Sequence, residues 1–109
     1  MNITTHATAT ALTLALEGEL DASSALTLDT ALDQPALLTY AKVLVDFEQL
    51  SYISSAGIGV FISHLPRLQA AGVKLVFFNL SEKGLNVFEI LGLDVLLHIA
   101  ATEQEALAQ

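Results

Sequence analysis

Leu12, Leu14 and Leu16 alternate with Thr13, Ala15 and Glu17, and an alternation of period two predicts a strand with one buried face. Ile3–Ala7 is a weaker strand able to pair with it, and Gly18 marks the exit. Asp21 then suits an N-cap, and Ala22–Asp33 predicts a helix in which Leu28 and Leu32 share a face with Ala25. Pro35 stops that helix. Val43–Val45 form an unbroken apolar run ended by Asp46, the pattern of a strand covered on both faces in a parallel sheet. Leu75–Phe78, ended by Asn79, repeats it, and Leu96–Ile99 is a third, shorter case.

Helical patterns separate these strands. Ile58, Phe61, Ile62, Leu65 and Leu68 recur at three- and four-residue spacing, with Gly72 as the C′ residue. Pro66 lies inside this run, removes one backbone donor and opposes the carbonyl of Ile62, which predicts a kink. After Ser81 come Val87, Ile90 and Leu91, with Gly92 as the stop, and Thr102 and Glu105 have the spacing of a capping box for a short last helix. The predicted fold is α/β: a mixed, mostly parallel sheet of about five strands with about four helices and an antiparallel edge from the first two strands.

The chain has 109 residues, so residues 1–109 are expected to form a single domain. Hydrophobic residues make up 53% of it, and the mean hydropathy of +0.60 raises the question of a membrane span. Every apolar run is interrupted well short of the ~18 residues a spanning helix needs. No basic stretch precedes an apolar run at the start, so the N-terminus does not read as a signal peptide. Twelve acidic residues against four basic ones leave a net charge of −8. Nucleic-acid binding needs a basic patch that four scattered cations do not make. The acidity fits a partner with a basic face, or serves solubility alone. There is no cysteine, hence no disulfide framework and no thiolate metal site. A cytoplasmic location and a monomer are the default expectations.

The informative stretch is Val45–Val60, VDFEQLSYISSAGIGV. It reads as a strand end, a polar turn and a helix start, and sites on open α/β sheets gather beyond the carboxyl ends of strands. Ser54 and Ser55 stand just ahead of the helical pattern. Serine is a preferred N-cap; a phosphorylated serine is also favoured at a helix N-terminus, and the two roles are compatible. Gly57 and Gly59 each cost up to ~1 kcal/mol relative to Ala inside a helix. Their small size must serve either packing against the sheet or close approach by a partner.

LSYISSAGIGV after a VLVDF strand resembles the signature of the STAS family, in particular the bacterial anti-sigma factor antagonists. GELDASSA is similar to the start of that family's first helix, and KLVFFNLSEKGLNVFEILGL to its last strand–helix segment. The resemblance implies a partner that is both an anti-sigma factor and a serine kinase of ATPase fold. The unphosphorylated antagonist holds that kinase, phosphorylation of one loop serine ends the binding, and a serine phosphatase resets it. That serine corresponds to Ser55, with Ser54 as the alternative, because the preceding position, often Asp in the family, is Ser54 here. The partner face implied comprises Asp21, Ser23, Ser54, Ser55, Ala56, Gly57 and Ile58. A second reading keeps the family and drops the switch: a constitutive STAS subunit of a lipid-transport ATPase complex.

Catalysis has little support. SSAGIG is followed by no Lys, so it is not a phosphate-binding loop. Ser55 has no local His to act as base, and His6, His64 and His98 lack metal-ligand spacing. The chain is expected not to be an enzyme and to need no cofactor or metal. Asp46 either orients the Ser54–Ser55 loop or is merely solvated, and Phe77 and Phe78 read as core.

Overall fold

The computed structural model describes residues 1–109. Five strands form one sheet in the order β1-β2-β3-β4-β5: Asn2–Ala7, Ala11–Leu20, Lys42–Ile53, Lys74–Phe78 and His98–Ile99. β1 pairs with β2 antiparallel; every other pairing is parallel. The helices are α1 (Ala25–Leu32), α2 (Ser55–Ala70), α3 (Glu82–Ile90) and α4 (Glu103–Ala108). This is the mixed, mostly parallel α/β sheet that the periodicity predicts.

The alternation in β2 does what period two requires: Leu12, Leu14 and Leu16 are buried and Glu17 is exposed. The apolar runs of β3 and β4 feed two cores at once. Val43, Val45, Leu75 and Phe77 join Leu28 and Leu32 of α1, Phe61 and Leu68 of α2, and Phe88 of α3 in the main core. Leu44, Val76 and Phe78 face the other way and pack with Ala106 of α4. Phe77 sits amid three other rings, with centroids at 4.7 Å to Phe61, 5.0 Å to Phe47 and 5.7 Å to Phe88. The first two pairs are edge-on, the arrangement aromatic quadrupoles favour.

Helices α2 and α3 end alike. Gly72 and Gly92 take φ of +74° and +72°. The amides of Val73 and Leu93 reach back to the carbonyls of Leu68 and Phe88, and those of Gly72 and Gly92 to Gln69 and Glu89. These are Schellman closures, and they use glycine because the left-handed residue carries no Cβ penalty. Helix α2 continues four residues past Pro66, which lies on its exposed side.

Several sequence expectations are corrected. Gly18 does not end β2: at φ +102° it lies in a bulged stretch, and the strand continues to Leu20. The polar run after Asp46 is not a turn, because β3 extends to Ile53, paired beyond Asp46 with β2 alone. The first helix starts at Ala25, not Ala22, because Asp21 holds a separate turn ahead of it. An unforeseen 3-10 turn covers Pro35–Thr39 and buries Leu37. In α3 the buried residue is Phe88, while Ile90 is 83% exposed. The last strand shrinks to His98–Ile99 because residues 91–96 form turns.

Candidate functional site

Strands β2 and β3 run on together past the end of β4, so their carboxyl ends project side by side. Leu20 pairs with Ile53, and the Ser54 amide donates to the Leu20 carbonyl at 2.8 Å. Two loops distant in sequence, Asp21–Ser24 and Ser54–Ser55, are thereby neighbours.

The first loop is organised by Asp21. Its Oδ1 accepts from the Ser23 hydroxyl at 2.6 Å, the Ser23 amide at 3.0 Å and the Ser24 amide at 3.1 Å. The Ser23 hydroxyl bond holds the Asp21 carboxyl below the usual carboxylate range against the opposing effect of desolvation, with further help from the Ser24 amide. Ser24, which the sequence reading passed over, is a buried polar residue whose hydroxyl accepts from the Asp21 amide at 2.9 Å and donates to the Glu19 carbonyl at 2.8 Å. A serine three residues after an aspartate was the available signal.

The second loop separates the two serines. Ser54 is the N-cap of α2: its backbone is extended and its hydroxyl accepts from the Gly57 amide at 3.4 Å. Ser55 is the first helical residue, exposed, with its side chain in no hydrogen bond within the chain. Its amide and that of Ala56 lie in the first turn, where no intrahelical acceptor exists.

The two glycines also separate. A Cβ on Gly57 would stand 2.4 Å from Leu20 Cγ, and Leu20 is fully buried. Gly57 is thus small so that α2 can lie against the end of β2. A Cβ on Gly59 would meet nothing within 4 Å. Of the residues expected on a partner face, Ser23, Ser55 and Ala56 are exposed, and Asp21 and Ser54 are half-buried. Gly57 and Ile58 are instead buried, because the first inward-facing turn of α2 is spent on Leu20 and the core.

Asp46 takes neither of its expected roles. Its Oδ1 accepts from the Glu48 amide at 2.9 Å and from Asn79 Nδ2 at 3.1 Å, tying β3 to the residue after β4 where the two strands part. His64 of α2 is buried and bonds Asp29 of α1 at 2.7 Å. Arg67 donates to the carbonyls of Leu32 and Asp33 at the end of α1, the favoured place for a cation. His6 and His98 lie in one row across the sheet, through Thr13, Leu44 and Val76. That row crosses β3 nine residues before Ile53, so neither histidine approaches Ser55.

The STAS domain profile matches residues 2–106. The chain belongs to the STAS domain family. An anti-sigma-B factor antagonist of Listeria monocytogenes is 33% identical over 88 residues, covering 81% of this chain and 77% of that one. Among solved structures, a candidate anti-sigma factor antagonist from Thermotoga maritima superposes with a TM-score of 0.88 at 20% identity, over 97% of this chain and 92% of that one. The Bacillus cell fate determinant SpoIIAA, in its phosphorylated form, gives a TM-score of 0.72 at 23% identity, over 98% and 97%. These structures share the fold of this chain. A relative from Bacillus subtilis, 32% identical over 89 residues, is likewise an anti-sigma-B factor antagonist. No helix of this STAS chain is long and apolar enough to cross a membrane.

Proposed function

We propose that this protein is an anti-sigma factor antagonist controlled by phosphorylation of Ser55. Unphosphorylated, it binds an anti-sigma factor that is also a serine kinase of ATPase fold, through Asp21, Ser23, Ser55, Ala56 and the exposed side of α2. Ser54, Gly57 and Ile58 support that surface from beneath. Phosphorylation of Ser55 releases the partner, and a serine phosphatase restores binding. Residues 1–109 act as one cytoplasmic domain without catalysis of their own.

The observation that carries this reading is the division of labour between the two serines. Ser54 is committed to the helix cap, whereas Ser55 presents a free hydroxyl at the first position of α2. A phosphate there adds about −1.5 to −2 charges at pH 7. Within the chain it is tolerated, because helix N-terminal amides and the macrodipole favour an anion. In a complex it is not, because a desolvated phosphate is costly without partner cations. The modification therefore acts on binding and leaves folding intact.

A pull-down from source cells with Ser55→Ala and Ser55→Asp baits tests this. The alanine bait is expected to retain a kinase of ATPase fold and the aspartate bait to lose it. If both retain one partner, such as a transport ATPase, the switch is wrong and the constitutive subunit reading replaces it.

A further inference from the structure

Where β3 outruns β4, an open cleft of about 170 Å³ lies between the projecting end of β3 and the first turn of α3. Phe47, Leu50, Tyr52, Leu80 and Val87 form its apolar walls, and Lys83 lines it from an exposed position. A dry cavity of roughly 150 Å³ suffices for benzene, so the cleft accommodates a hydrocarbon group of roughly six to eight carbons. The chain has four cations, and the other three lie elsewhere. Lys42 and Lys74 face each other across β3 and β4 at the opposite end of the sheet, and Lys42 bonds the Leu107 carbonyl. Arg67 holds the end of α1. Lys83 alone stands at the carboxyl end, in no ion pair, since the two ion pairs of the molecule are His64–Asp29 and Arg67–Asp33. Beside it the Ser81 hydroxyl accepts from the Gly84 amide at 3.0 Å, which leaves its proton free to donate.

We infer that this cleft binds a small amphipathic carboxylate, with its tail between Phe47, Leu50, Leu80 and Val87 and its carboxylate on the Lys83 ammonium. The charge balance selects the class. In a molecule of net charge −8 a single lysine neutralises one negative charge, not a polyphosphate. The apolar walls demand a tail that a free inorganic anion lacks.

The test is a titration of the isotope-labelled full chain with octanoate and, separately, with 1-octanol, followed by backbone amide shifts. Octanoate is expected to move the amides of Leu50, Tyr52, Leu80, Lys83 and Val87 together. In Lys83→Gln, an exposed change that leaves the fold intact, its affinity should fall roughly two- to fivefold, the range of an exposed ion pair. Octanol should bind the parent and the variant equally. Absence of shifts at the cleft overturns the inference, as do shifts centred on the exposed apolar segment Ile90–Leu96, or an octanoate affinity indifferent to Lys83→Gln.

Discussion

The junctions β3→α2 and β4→α3 stand side by side at the carboxyl edge of the sheet and share one cap. In each a serine in extended conformation accepts from the amide of a glycine three residues on, Ser54 from Gly57 and Ser81 from Gly84. They differ at two positions. The first helical residue is Ser55 in α2 and Glu82 in α3. The glycine of α2 abuts a buried side chain, whereas a Cβ on Gly84 would meet only Ser81 Oγ at 3.2 Å and Leu80 Cδ2 at 3.7 Å. One junction thus carries a permanent negative charge where the other presents an uncharged hydroxyl. Only the β3→α2 junction is braced against the core, by Gly57 on Leu20.

The sharpest way to break this comparison is to add one methyl to each glycine. Gly57→Ala drives a Cβ into Leu20 and should destabilise by about 1–3 kcal/mol, the usual range of overpacking. Gly84→Ala should stay within about 1 kcal/mol of the parent, since helix propensity offsets a slight shift of Ser81. Urea unfolding of both variants decides, and equal losses would remove the distinction.

Replacing the caps comes next. Ser54→Ala and Ser81→Ala should each cost about 1 kcal/mol, while Ser55→Ala should be close to neutral because its hydroxyl bonds nothing in the chain. Thermal melts test this ordering; a cost for Ser55→Ala equal to that for Ser54→Ala would show that both serines serve the helix.

A smaller effect separates the first helical residues. Ser55→Asp should stabilise α2 and Glu82→Gln should weaken α3, each by about 0.3–1 kcal/mol through the helix dipole. Added salt should shrink both differences. Destabilisation by Ser55→Asp would mean that charge at this position disturbs the fold itself.

The smallest expected effect concerns the loop that flanks only the first junction. The Asp21 carboxyl is held below its usual range, so its contribution to stability is complete above the unfolded-state value near 4 and fades as pH falls through the folded-state value. Asp21→Asn should remove this acid-side component and leave the stability curve above about pH 5 parallel to the parent's. Unfolding midpoints measured between acid and neutral pH read it directly.

Local chemistry determined much of this protein. The alternation of Leu12, Leu14 and Leu16, the doubly covered runs in β3 and β4, and the glycines that close α2 and α3 are short-range patterns, legible because period and cap chemistry act within a few residues. The signature around Ser54 and Ser55 likewise marked the loop and the family. Tertiary structure alone decided the rest. Ile53 reads as part of a polar turn until β2 is seen to run on beside β3. Gly57 cannot be told from Gly59 until Leu20 fills the space beneath one and nothing fills the space beside the other. Ile90 and Leu91 look like core until Phe88 occupies it. The significance of Lys83 depends on where the other three cations lie. Each of these turns on contacts between residues far apart in the chain, which pair, exclude or neutralise one another only once the sheet has brought them together.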